Sequence, residues 1–186
     1  MREFRRRQQP LVHRMLQEVL SNHKPATWDE GPYNNKLYRK IQVFGNEHSR
    51  VIQDFQTELK TRVETVYRIQ NPYIYGRYKL KVEQLQLRNT VYEETWYHPI
   101  AEDDMKVVME YNCDYRRYTH PTWAQSEGKR PKFYKSAESA ERNFSTSIRK
   151  ALVVVKVANT HISTFTTCCK DWDTEYYPDY IVVLRE

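Results

Sequence analysis

Glycine is the first shortage. The chain of 186 residues has four, and only Gly128 lies beyond Gly76. Their spacing fits neither the G-x-G-x-x-G dinucleotide fingerprint nor a P-loop, so phosphate cradles of those two kinds are excluded. Cysteine is nearly as sparse. Cys113, Cys168 and Cys169 form an odd set with no C-x-x-C spacing. That argues against a disulfide framework and a zinc site, and it suits a reducing, intracellular compartment, cytoplasmic or nuclear. The histidines show no metal-ligand spacing, so no metal is expected. Long apolar runs are also missing. The most apolar stretch, residues 151–155, is strand-sized, so no transmembrane helix is expected. The N-terminal MREFRRRQQP is basic with no apolar core behind it, unlike a secretory signal.

Tyrosine, by contrast, is plentiful at 15 residues, and the hydrophobic share of 39% suffices for one domain with a sizeable core. The net charge is +6. Part of it sits in Arg2, Arg5, Arg6 and Arg7, and part in Lys129, Arg130, Lys132 and Lys135. Such clusters serve either as solvated surface or as an RNA site held through phosphates.

The chain divides into a basic N-terminal arm and helix over 1–24 and one domain over 25–186. Pro10 opens the first helix, with Leu11, Met15, Leu16, Val19 and Leu20 on one face. Residues 24–35, broken by Pro25, Gly31 and Pro32, read as a connector, and Trp28 in it as an anchor. A strand is expected over 37–44. A helix follows, with Val51, Ile52, Phe55 and Leu59 on one face. Residues 63–69 alternate as a half-buried strand. Asn71 and Pro72 then cap and open a helix along which Ile74, Tyr78, Val82 and Leu85 recur. Residues 93–100, EETWYHPI, form an aromatic strand that looks like the floor of a pocket, and a helix over 101–111 turns Met105, Val108 and Met109 inward. Residues 114–131 read as a long loop. A short helix over 136–143, a buried strand over 151–157, a strand over 160–168 and a last one over 180–184 complete the order. Helices interleave with short strands, and the fold class is α+β around a sheet.

Residues 66–81, VYRIQNPYIYGRYKLK, resemble a signature of the poly(ADP-ribose) polymerase (PARP) catalytic domain: Arg-(Ile/Val)-Gln-Asn, aromatic or apolar positions, then Tyr and a basic cluster. Weaker similarities follow in order. Trp28-Asp29 resembles the domain's opening segment. Tyr97-His98-Pro99-Ile100 stands where the family has Phe-His-Gly-Thr. Asn112-Cys113-Asp114-Tyr115-Arg116 resembles Asn-Phe-Asp-x-Arg, and Arg142-Asn143-Phe144-Ser145 resembles His-x-(Tyr/Phe)-Ser. Val155-Lys156-Val157 resembles Ala-(Arg/Lys)-Val, and residues 177–182, YPDYIV, resemble Tyr-Pro-Glu-Tyr-(Val/Ile)-Ile. The resemblance covers about residues 25–186 and is nearest the CCCH-zinc-finger PARP and zinc-finger antiviral protein subgroup.

The resemblance implies the ADP-ribosyltransferase split β-sheet with small flanking helices, and chemistry that moves ADP-ribose from NAD. It assigns His98 to the ribose-anchoring His, either kept as an anchor or left as a relic, with Tyr97 beside it. It puts Pro99 where a glycine backbone would hold the nicotinamide amide. Proline has no N–H and a fixed φ, so that donor is lost. Two registers fit the nicotinamide-stacking tyrosines. One places Phe133 and Ala140 there, with Glu141 on the amide-binding Ser. The other places Lys132 and Ser139 there, with Ala140 on the Ser. The gap-free first register is preferred. The third catalytic position falls at Thr167 or Cys168, neither of them Glu.

The expectation is therefore a catalytically inactive PARP-like domain, a pseudoenzyme that serves as an interaction or scaffold module with protein partners, in an RNA-associated protein. No cofactor is expected. The first alternative is an active, NAD-dependent mono-ADP-ribosyltransferase with a rebuilt pocket. The second is RNA binding through Arg5, Arg6, Arg7, Lys129, Arg130 and Lys132.

Overall fold

The computed structural model describes residues 23–29, 38–145 and 148–185. Arg5, Arg6 and Arg7 lie outside the described residues, as does the 1–24 arm and helix apart from His23 and Lys24. So do Leu37 and residues 30–35 of the connector.

The strands are β1 (Arg39–Gln42), β2 (Val63–Gln70), β3 (Tyr92–Ala101), β4 (Ser126–Glu127), β5 (Arg130–Tyr134), β6 (Lys150–Asn159), β7 (Thr167–Cys169) and β8 (Tyr176–Leu184). The helices are α1 (Gly45–Val51), α2 (Thr57–Arg62), α3 (Pro72–Gln86), α4 (Met105–Tyr111) and α5 (Ala137–Asn143). Every strand pairing is antiparallel, in the order β1-β2-β8-β6-β3-β5-β4, with β7 also paired to β5. The class is α+β.

The long central strands are the ones most plainly written in the sequence. β6 carries a run of β-branched residues because both of its faces are covered. Val153, Val155 and Val157 enter one core with Trp96, Ile100 and Ile181. Leu152 and Val154 enter a second with Tyr97, Tyr134 and Val182. α4 covers the first face with Met105, Val108 and Met109, each worth roughly 1.5–3 kcal/mol if fully buried. α2 and α5 lie over the second face through Leu59, Ala137 and Ala140, with Phe55 of the turn before α2 and the half-buried Val51 of α1 beside them. The single helix expected through Leu59 is two helices with a turn between them. The apolar spacing runs on through the turn because both helices face the same sheet.

α3 begins as its sequence predicts. The Asn71 side chain accepts from the N–H groups of Tyr73 and Ile74, each at 3.1 Å, ahead of Pro72. The same side chain donates to the Met109 carbonyl at 2.8 Å, so one residue caps α3 and fastens α4 to it. Trp28 is the expected anchor: it is 5% exposed and packs on Tyr75 and Tyr177.

Two stretches differ from expectation. Residues 114–131 are not one structureless loop. They hold a 3-10 turn at Tyr115–Arg117 and the β4–β5 hairpin, whose two-residue turn puts Gly128 at φ 63°. The strand expected over 160–168 forms only at Thr167–Cys169.

Candidate functional site

β3 and β5 meet at one pair, Tyr97 with Tyr134, and then part. The fork between them begins at His98 and Pro99, the two positions that the sequence singles out. Alternation along β3 sends Trp96, His98 and Ile100 to the α4 face and Tyr97, Pro99 and Ala101 to the other. Proline supplies no N–H to a ladder and suits a free margin. Pro99 lies past the last β3–β5 pair, and it is buried.

His98 spans the fork from beneath. It is fully buried. Its Nδ1 donates to the Lys132 carbonyl on β5 at 2.8 Å. With that proton assigned, Nε2 is the acceptor, and the Tyr118 hydroxyl donates to it at 2.9 Å. Tyr118 also bonds the Cys113 thiol. Burial lowers the His98 pKa to about 4, against the opposing effect of the Lys132 bond, so the ring is neutral at physiological pH. Both ring nitrogens are spent on the protein itself.

A turn at residues 122–125 closes the other side of the fork. Ala124 and Gln125 are fully buried. The Gln125 carbonyl accepts from the Lys132 N–H at 3.0 Å, and the Ala124 carbonyl accepts from the Tyr134 hydroxyl at 3.0 Å. Ala124 packs on Ala101 of β3 and on Phe144. The chain thus fills the fork with its own residues, Tyr118 on one face and Ala124 on the other.

Of the other sequence-derived positions, Lys132 and Phe133 meet His98 there, whereas Ala140, Glu141, Thr167 and Cys168 do not. Phe133 sits in the α4-side core, 5.6 Å from the His98 ring and 4.9 Å from that of Tyr176. Ala140 is on α5, over the opposite face. No single planar ligand could lie between them. In the alternative register, Lys132 lies over the rings of Trp123 and Tyr134, and Ser139 bonds the Ser136 N-cap of α5. Glu141 is held by Lys150 at 2.8 Å and Arg62 at 3.2 Å. Burial alone would raise its carboxyl, but the two cations outweigh that and keep it below the usual carboxylate range.

Thr167 and Cys168 lie on β7, opposite Tyr134 and Phe133. Burial pushes the Cys168 thiol up to about 12, so it is not a ready nucleophile. Cys169, its neighbour on the other side of the strand, donates to Glu127 at 3.6 Å.

Tyr97 meets Phe55 edge-on at 5.6 Å and lines an open cleft of about 370 Å³ with Arg50, Asp54, Thr95, Lys156, Asp179 and Tyr180. A register shift at Val154/Val155 leaves Asp179 of β8 unpaired with β6, and Asp179 lines the cleft. Burial raises its carboxyl, opposed by Lys156 at 3.1 Å. No histidine or cysteine lines this cleft, and its buried carboxylate is already paired.

The basic positions are also largely engaged. Arg130 pairs with Asp171 at 3.5 Å. Lys129 lines a cavity of about 220 Å³ with Arg116 and Lys170, but Asp114, Asp171 and Asp173 line it too, so cations and carboxylates are equal in number. Among the described residues, no group of three or more His, Cys, Asp and Glu could hold a metal ion.

Sequence reasoning named two working residues within the resemblance, Asn112 and Arg68, without giving either a role. Asn112 is the only non-glycine residue at positive φ among those described (φ 63°, ψ −159°). Its side chain donates to the Asp173 carbonyl at 2.8 Å and accepts from the Cys113 N–H at 2.9 Å, tying α4 to the turn before β8. Arg68 is 5% exposed at its side chain. It reaches both Glu47 oxygens at 2.7 Å and Asp29 at 2.8 Å, which locks the Trp28 segment and α1 to the sheet. A guanidinium that deep needs carboxylates, and a search for acids near Arg68 in space, not in sequence, would have been the signal.

Among the described residues, no helix is long and apolar enough to cross a membrane. No protein-family model and no curated protein matches the chain.

Proposed function

We propose that this chain is a PARP-like domain with an ADP-ribosyltransferase split sheet whose dinucleotide cleft is closed, and that it works as an intracellular protein-interaction module. The observation that carries the reading is His98. On this reading the ring that would anchor a ribose is fully buried and gives both nitrogens to Lys132 and Tyr118. An NAD ribose would have to break one of those bonds and displace the 122–125 turn as well. An unsatisfied buried polar group costs about 1–3 kcal/mol before any steric term. Pro99, with no N–H to offer an amide, points the same way. The three free cysteines accord with a reducing compartment.

The experiment is NAD titration by calorimetry, with a labelled-NAD automodification assay on the same preparation. The expected result is no saturable heat and no incorporated label. Saturable binding that His98→Ala abolishes, with label transferred to protein, would instead make the chain an active mono-ADP-ribosyltransferase. RNA binding is tested alongside by a salt series, since phosphate contacts must weaken as salt rises. Arg130 is paired and Lys132 is stacked on rings, so Lys129→Ala is expected to change RNA retention little.

A further inference from the structure

α3 has a solvent face as regular as its buried one. Ile74, Tyr75, Tyr78 and Val82 pack inward. Opposite them, Tyr73 and Leu80 are 48% and 40% exposed, and Leu87, the residue that caps the helix C-terminus, is 84% exposed. These three are spaced by one heptad each, and Arg77 and Gln84 fall between them on the same stripe. At 1.5 Å per residue the stripe is about 21 Å long. Isolated exposed leucines need no explanation, but a row at heptad spacing supplies one of the two apolar positions that a helix seam uses.

The flanks of this stripe differ in charge. At about 100° per residue, Arg77 and Lys81 fall on one side, continued by Arg88 in the turn just past the helix, and Glu83 falls on the other beside the buried Gly76. Arg77 already pairs with Asp173 at 2.9 Å. Lys81 and Arg88 have no ion-pair partner among the described residues. Glu83 is taken by His23 at 2.5 Å.

We propose that the solvent face of α3 docks an amphipathic helix of a partner protein, with apolar residues meeting Tyr73, Leu80 and Leu87 and acidic residues meeting Lys81 and Arg88. Charge complementarity selects this occupant over a second copy of the chain. An antiparallel copy would set the basic flank against itself. A parallel copy would offer only Glu83, which His23 holds. One helix against one helix is a small interface, so the contact is transient and in the micromolar range. The proposal supplies a surface for the interaction role above and rests on that role for its purpose. NAD titration tests that role, and peptide binding tests this surface, so either can fail alone.

The probe is a synthetic helix of about three heptads with leucine at a and d and glutamate at e and g, whose like charges keep it from pairing with itself. It is titrated against the full chain by fluorescence anisotropy, with a matched lysine peptide as control. The glutamate peptide should bind, and Leu80→Asp or Leu87→Asp should weaken it about tenfold or more. Unchanged thermal midpoints show that these variants fold. A Lys81→Glu/Arg88→Glu double variant, which leaves the apolar stripe intact, should switch preference to the lysine peptide. Equal binding of the two peptides by the unmodified chain, failure of the glutamate peptide to bind, or indifference to Leu80→Asp would overturn the proposal. So would self-association of the free chain in sedimentation velocity that Leu87→Asp abolishes, which would give the stripe to a second copy.

Discussion

The His98 ring and the Tyr118 hydroxyl share one hydrogen bond of 2.9 Å, made where neither has ready access to water. Tyr118→Phe keeps the ring and deletes the donor, leaving Nε2 buried and unpaired. The expected loss is about 1–3 kcal/mol of unfolding free energy, read from urea midpoints at unchanged slope. A change within error would mean that water replaces the hydroxyl and that the fork is open to solvent.

The same histidine makes stability depend on pH. Its folded pKa of about 4 lies below the ordinary 6.5. The unfolded chain therefore binds a proton that the folded one does not across that window. Stability is full above about pH 6.5, falls as the pH drops toward 4, and levels off below it, a loss of about 3 kcal/mol from this group. Urea titrations at pH 7 and pH 5 should show the slope, and His98→Gln should flatten it. An equal slope in the variant would assign the effect to other groups.

Asn71→Ala removes the cap of α3 and the bond to Met109 together. A cap alone is worth about 1 kcal/mol, and the bond to α4 adds about as much. Asn71→Asp keeps the acceptor for the cap but sets a buried carboxyl oxygen against the Met109 carbonyl, so it should recover less than half the loss in thermal unfolding.

Glu47→Ala strips Arg68 of two of its three contacts and Tyr180 of its partner. Because the guanidinium is buried, the expected cost is about 3 kcal/mol. The tryptophan emission should shift to the red as the Trp28 segment loosens, and Trp28→Phe should remove that shift from the four-tryptophan spectrum; an equal shift without Trp28 would free that segment from dependence on Arg68.

Thiol reactivity should follow burial. Cys113 is fully buried and its thiol is pushed far up by desolvation. Cys168 is raised to about 12. Cys169, half-exposed beside Glu127, is raised by burial and by that carboxylate. Alkylation at neutral pH should be slow at all three and fastest at Cys169, as peptide mapping can read. Rapid labelling of Cys168 would contradict the placement of β7.

Much of the frame was legible because single residues dictated it. Asn71-Pro72 announces a helix start, the β-branched run of β6 announces a strand covered on both faces, and Trp28 in a Pro-bounded segment announces an anchor. The fork was not legible. Period two places His98 and Pro99 on opposite faces of β3, but it says nothing of what covers each face. The 122–125 turn carries no periodic signal, since its burial comes from a gap between strands that are distant in sequence. A linear register set Phe133 and Ala140 at the two positions of one stacking site, whereas one is on a strand and the other on a helix across the sheet. The three-residue β7 is too short to announce itself. Asn112 adopts a positive φ whose side-chain bonds to Asp173, Tyr176 and Cys113 depend on where the turn before β8 falls in space.

The position of β8 bears on how the sheet is made. β8 lies between β2 and β6, and it pairs Val66 with Val182 across more than half the chain. Until residues 176–184 have left the ribosome, β1–β2 and β6–β3–β5 are separate ribbons with bare apolar edges. Contacts so distant in sequence close slowly, and open edges invite association while they wait. This sheet is therefore most exposed to aggregation just before β8 arrives, and a chaperone that shields strand edges would matter most at that moment.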